Sequence, residues 1–140
     1  MFRINQLKII YILAIIFLCR CQTDTPVPRV KTNFIVDINT NRLIMVGGYE
    51  YFTGGIQGFI VYHVDMNTFV AYDRACAFDW ESNGYVIVDP QNTFQLLCEQ
   101  CGSTYNILNG YPQGANCKAT QPLRSYNVRI ESDDKIRVYD

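Results

Sequence analysis

Cys98-Glu99-Gln100-Cys101 is the stretch of this chain richest in chemistry. Two thiols spaced by two residues can close on one metal ion or one cluster, and they can also close on each other as a disulfide. The pair runs into the turn-forming Gly102-Ser103 and then into the β-prone Thr104-Tyr105-Asn106. Cys76 lies upstream and Cys117 downstream. An even set of four thiols in one domain allows a single four-thiolate site, or two disulfides in three connectivities. Cys98–Cys101 with Cys76–Cys117 is one such pairing. Four thiolates suit zinc or an all-cysteine [2Fe–2S] centre, and spacing does not separate the two. Asp79 and Glu81 follow Cys76 closely, and either carboxylate can complete a zinc or iron site in place of Cys117.

Other chemistries find little support. The single histidine, His63, sits in the apolar run Gly58 to Val64 and is expected as a partly exposed strand residue. There is no glycine-rich phosphate loop, no Ser-His-Asp logic and no His-Glu-x-x-His helix. With one histidine and no clear carboxylate pair, hydrolytic or acid–base catalysis has little support, so a carrier or binding role is expected over a catalytic one. A net charge of −1 offers nothing to attract nucleic acid.

The elements that must position the thiols read as strands. A chain of 140 residues fits one domain with its own core. Ten Tyr and eight Phe, with frequent Val, Ile and Thr, favour β-structure. Phe34 to Ile38 is expected as a first strand and Arg42 to Val46 as a second. Gly47-Gly48 and Gly54-Gly55 bracket an expected loop carrying Tyr49, Tyr51 and Phe52. Gly58 to Val64 and Thr68 to Tyr72 form a hairpin around Asp65-Met66-Asn67 that delivers Cys76. Tyr85 to Val88 and Thr93 to Leu97 form another, which delivers Cys98. Ser103 to Leu108 is a short strand. Ser125 to Glu131 and Lys135 to Tyr139 alternate cleanly. No 3.6-residue period appears after the first twenty residues, so the domain is all-β with eight to ten short strands.

The N-terminus reads as an export segment. Arg3 and Lys8 precede Ile9 to Leu18, an apolar run of ten residues. That is too short to span a bilayer core of ~30 Å and suits a signal h-region. Cys19 and Cys21 follow, then the polar, Pro-containing Gln22 to Pro28. An h-region ending at a Cys with a polar tether resembles a bacterial lipoprotein signal, whose Cys becomes the lipidated first residue. Cys21, with Leu18 three residues before it, is preferred over Cys19, although Arg20 departs from the usual small residue. The expected partition is 1–20 signal, 21–33 tether and 34–140 domain. The expected location is the bacterial envelope, held to a membrane by lipid on its periplasmic or surface face.

Two cysteine-bearing loops on a small antiparallel β-domain resemble the Rieske iron–sulfur family. Asp73-Arg74-Ala75-Cys76 stands where that family has its first cluster loop. Cys98-Glu99-Gln100-Cys101-Gly102-Ser103-Thr104-Tyr105-Asn106 is similar to the second loop, Cys-x-x-His-Gly-Ser-x-Phe-Asp. Pro122-Leu123-Arg124-Ser125-Tyr126-Asn127-Val128 resembles the family's closing Pro-Leu-x-x-Tyr-x-Val strand. The resemblance implies a small antiparallel β-sandwich or barrel with a two-loop subdomain at its end. It also implies that Cys76 and Cys98 match the cluster cysteines, that Tyr105 packs beneath the loops, that Ser103 donates to a cluster sulfur or shapes the turn, and that Cys117 lies in a third loop against the site.

The departures are specific. A Rieske cluster takes two Cys and two His, whereas Phe78 stands in the place of one histidine and Cys101 in the place of the other. The expectation is therefore a cysteine-held iron–sulfur cluster or single metal at Cys76, Cys98, Cys101 and Cys117, with Asp79 as the alternative fourth ligand. As an electron carrier it would use a redox partner docking at the loop tips. The alternative is a metal-free, disulfide-stapled surface lipoprotein that binds a partner through the aromatic loop near Tyr51.

Overall fold

The computed structural model describes residues 25–39 and 42–140. The expected signal and both of its cysteines lie outside them. Ten strands make two antiparallel sheets among the described residues. The larger runs in the order β1 (Asn33–Asp37), β10 (Lys135–Tyr139), β9 (Ser125–Ser132), β4 (Thr68–Asp73), β3 (Phe59–Asp65) and β2 (Tyr49–Phe52). The smaller runs β5 (Val86–Asp89), β6 (Asn92–Cys98), β7 (Thr104–Asn106) and β8 (Pro112–Gln113). The expected all-β class holds. No helix among the described residues is long and apolar enough to cross a membrane.

β3 explains how one chain supports two cores. Phe59 to His63 is buried at every position. The two-residue period of a strand sends Phe59 and Val61 to one face, against Val36, Phe69, Tyr126 and Ile136. It sends Ile60 and Tyr62 to the other face, against Tyr72, Val88, Leu96 and Tyr105. The second group draws on both sheets, so the four-stranded sheet packs on that side. Cys76 and Cys98 belong to this inter-sheet core.

Three expectations are corrected. Arg42 to Val46 is not a strand: Arg42–Ile44 forms a 3₁₀ turn that buries Leu43. The chain folds back so tightly that a Cβ on Gly48 would lie 1.9 Å from the Arg42 carbonyl oxygen, which no strand permits. Tyr49 to Phe52 is not a loop but β2, in register with β3 from Tyr49↔Tyr62 to Phe52↔Phe59. The glycine pairs bound this aromatic segment without breaking it. His63 is buried rather than partly exposed. Its Nδ1 lies 2.7 Å from the Leu43 carbonyl oxygen, and its ring stacks on Phe69 at 4.2 Å between centroids.

The segment expected as a tether is docked where it is described. Val27 is fully buried. Arg124 donates from Nε and Nη2 to the Val27 carbonyl, at 2.9 and 2.7 Å, and from Nη2 to the Thr25 carbonyl at 3.2 Å. Arg29 pairs with Asp140 at 2.7 Å, and the Asp140 N–H reaches the Thr32 carbonyl at 3.2 Å.

Asp73 ends β4 and is wholly buried. Its carboxylate accepts the backbone N–H groups of Ile56, Gln57 and Ala75 at 2.7, 3.2 and 2.9 Å. Gly55 comes so close that a Cβ there would sit 2.3 Å from Asp73 Oδ2, and its φ of +60° is one that glycine adopts freely. Asp73→Ala leaves three N–H groups without an acceptor. At ~1–3 kcal/mol for each orphaned group, the expected loss is about 3 kcal/mol or more. It is read as a lowered urea midpoint with the slope unchanged.

Candidate metal centre

The first cysteine loop leaves β4 and is pinned at once. The Arg74 guanidinium lies over the Tyr51 ring at 4.1 Å and the Tyr85 ring at 4.9 Å, and its Nε donates to the Val86 carbonyl at 3.0 Å. The Cys76 N–H bonds the Gly84 carbonyl at 3.0 Å. A short 3₁₀ turn, Trp80–Ser82, follows, with Asp79 at its N-cap. An Asp at that position usually caps with its side chain. Here it makes no such bond. The carboxylate is turned toward Cys98 instead, with Oδ1 and Oδ2 at 3.5 and 3.8 Å from Sγ. A Cβ on Gly84 would lie 1.9 Å from Asp79 Oδ1. Glycine at 84 thus makes the room that this carboxylate occupies.

The second loop follows from β6. The Gly102 N–H bonds the Cys98 carbonyl at 2.8 Å, and the Cys98 N–H bonds the Ser103 carbonyl at 2.9 Å. Gly102 holds a φ of +76° that closes the turn. Ser103 is fully buried, and its Oγ accepts the N–H groups of Lys118 and Ala119 at 3.1 and 3.0 Å. The same oxygen lies 3.1 Å from Cys101 Sγ, whose thiol points at it. Ser103 both ties the third loop down and contacts a cysteine sulfur. Tyr105 is fully buried, and its hydroxyl accepts the Ala77 N–H at 3.1 Å and lies 3.2 Å from Cys76 Sγ. Burial holds this phenol protonated far above its usual range. Tyr105 therefore packs beneath the loops and also contacts a site sulfur.

One thiol or carboxylate donor atom from each of Cys76, Asp79, Cys98 and Cys101 falls within 4.8 Å of every other. The sulfurs of Cys76 and Cys101 are 3.6 Å apart. Cys76 and Cys98 are fully buried, and Cys101 is half-buried. Burial pushes the Cys76 thiol upward, with the Asp79 carboxylate adding to it, and pushes Cys98 up to about 11. Cys117 stands apart from this group. Its Sγ faces the carbonyl oxygens of Thr104 and Ala119 at 3.4 and 3.5 Å. Glu81 is exposed and outside the group, and Phe78 is 54% exposed. Trp80 is half-buried on the short turn beside the site. All four described cysteines are free, and the Cys76 sulfur contacts that of Cys101. Tyr51, expected on an open binding loop, is half-buried with its hydroxyl accepting the Val88 N–H at 3.0 Å.

The two-Cys, two-His set of a Rieske cluster does not fit these residues, because His63 is held by the Leu43 carbonyl within the other core. Sequence reasoning missed Gly84. Its signal was the Asn83-Gly84 pair, a turn dipeptide only five residues after Asp79.

A thiol with its pKa near 11 carries about 100-fold less thiolate at pH 8 than one near 9. In the metal-free native protein at pH 8, Cys98 should therefore alkylate with iodoacetamide at least about tenfold more slowly than in the urea-unfolded chain. Timed alkylation with peptide mapping measures this, and equal rates would contradict the burial argument.

No protein-family model and no curated protein sequence matches the chain. Solved structures do match in fold. One is a chain of the complex of reduced oxygenase and oxidized ferredoxin in carbazole 1,9a-dioxygenase, with 18% identity, 79% of this chain and 94% of that chain covered, and a TM-score of 0.54. Another is the Sphingomonas yanoikuyae B1 ferredoxin, with 17% identity, 79% and 99% covered, and a TM-score of 0.52. A third is the ferredoxin of carbazole 1,9a-dioxygenase from Nocardioides aromaticivorans IC177, with 16% identity, 79% and 95% covered, and a TM-score of 0.50. At these identities the likeness is one of architecture: the chain has a Rieske-like, all-β fold.

Proposed function

We propose that this chain is an exported, lipid-anchored module of Rieske-like fold that binds a metal centre through Cys76, Cys98 and Cys101. The observation that carries this reading is the convergence of three thiols and the Asp79 carboxylate within 4.8 Å at the ends of two loops. Two fully buried thiols, a half-buried third and a carboxylate turned toward them form a donor set that a metal ion would satisfy. The ferredoxin names of the fold neighbours support an electron-carrying role when the metal is iron. Half-buried Cys101 and exposed Phe78 then mark the face where a redox partner protein docks. With zinc, the same site is closed and structural.

Anchoring rests on the sequence. The ten-residue apolar run, the cysteine that follows it and the polar spacer support a lipid on Cys21 and a place on an envelope membrane outside the cytoplasm, with Cys19 as the alternative acceptor. A second reading has its own support. Cys76 and Cys101 lie close enough, at 3.6 Å, for an oxidised, metal-free form to cross-link there and serve as a binding module.

The test is metal and sulfide content with a visible spectrum on the full chain purified without oxygen. Iron with acid-labile sulfide and a brown colour supports an electron carrier. Zinc without colour supports a structural site. Absence of metal, with thiols that titrate only after reduction, would overturn metal binding in favour of the stapled module. For the anchor, Cys21→Ser should move the chain from the membrane pellet to the soluble fraction, and intact-mass measurement should lose the lipid. Retention of both would sink the assignment to Cys21.

A further inference from the structure

Resting on the metal-binding reading, we infer that the site takes one four-coordinate divalent ion of the zinc class, held by the sulfurs of Cys76, Cys98 and Cys101 and by the carboxylate of Asp79. A two-iron centre spreads its outer ligands in two pairs, one pair on each iron of a sulfide-bridged rhomb. A single tetrahedral ion gathers all four around one point. With metal–sulfur bonds of ~2.3 Å and metal–oxygen bonds of ~2.1 Å, the tetrahedron's edges are about 3.8 Å between sulfurs and about 3.6 Å from sulfur to oxygen. The Cys76–Cys101 sulfurs are 3.6 Å apart, the Cys98 sulfur is 3.5 Å from Asp79 Oδ1, and no pair in the set exceeds 4.8 Å. Two of the six edges match a single coordination sphere, and the 4.8 Å bound keeps the remaining donors gathered around one point.

Asp79 is built into the site. It stands at an N-cap without capping, and Gly84 leaves the space its Oδ1 fills. Three thiolates and a carboxylate concentrate negative charge. A divalent cation offsets half of it, and the hydroxyls of Ser103 and Tyr105 lie beside the Cys101 and Cys76 sulfurs. Donors of this kind around the ligands orient them and temper their charge. With all four positions supplied by protein, the site has no open position for water or substrate, the hallmark of a structural ion. The ion would join the β4–β5 loop to the β6–β7 loop. Cys117 takes no part.

The experiment is an anaerobic titration of the reduced, chelator-stripped full chain with cobalt(II) and then zinc. The expected result is one cobalt per chain with the intense visible absorption of a tetrahedral thiolate site, displaced by one equivalent of zinc. Asp79→Asn, a near-isosteric change, should weaken zinc binding at least about tenfold, the low end for disturbing a metal's surroundings. Its metal-free melting temperature should stay within a few degrees of the parent. Gly84→Ala should weaken binding comparably with Asp79 still present, and Cys117→Ser should bind as the parent does. Two irons with acid-labile sulfide per chain, or Asp79→Asn binding zinc as tightly as the parent, would overturn the single-ion assignment and leave metal binding intact. A parent chain that takes up neither cobalt, zinc nor iron would overturn the metal-binding reading itself.

Discussion

The buried carboxylate of Asp73 is the constraint on which the rest of the molecule depends. A buried carboxyl group is tolerable only when hydrogen-bond donors meet it. Here the donors are the backbone N–H groups of Ile56, Gln57 and Ala75. Two of them close the glycine-rich turn between β2 and β3, and the third starts the loop that carries Cys76. One side chain thus fixes where β4 stops and in which direction the chain leaves it. The next residue, Arg74, completes the exit by stacking on the rings of Tyr51 in β2 and Tyr85 just before β5. The first cysteine reaches its place because a carboxylate and a guanidinium, adjacent in sequence, are each satisfied within the fold.

The hairpins were legible because alternation and turn chemistry agreed. The β3–β4, β5–β6 and β9–β10 pairs fall within a residue or two of where pattern reading puts them. Arg42 to Val46 was misread because its apolar run is spent on one buried residue, Leu43, while Ile44, Met45 and Val46 stay exposed. Tyr49 to Phe52 was misread because flanking glycines look like a loop when the partner strand is unknown. His63 was misread because the acceptor of its ring nitrogen, the Leu43 carbonyl, lies twenty residues away.

Within the site, the three cysteines of the two loops could be read from spacing, whereas the neighbour that meets them could not. Whether Cys117 or Asp79 faces Cys98 is decided by contacts across the fold. Ser103 captures the N–H groups of Lys118 and Ala119 and fixes the third loop, where the Cys117 sulfur lies against the Thr104 and Ala119 carbonyls. Gly84 opens the space for Asp79. Fold and chemistry are separable: an architecture carries its loops into place, and the residues at their ends decide what is held there.

The Arg124 clamp has a mechanical consequence. A pull on the chain at Thr25, directed away from the domain, meets the guanidinium's bonds to two carbonyls and the seated Val27 side chain before it reaches any strand. Arg124 directly precedes β9, which is flanked on both sides in its sheet. Part of the load therefore enters at an interior strand as well as at β1 on the rim. The edge strand, which unzips one hydrogen bond at a time under tension, is relieved of that share, and the domain resists being peeled open from the end by which the chain enters it.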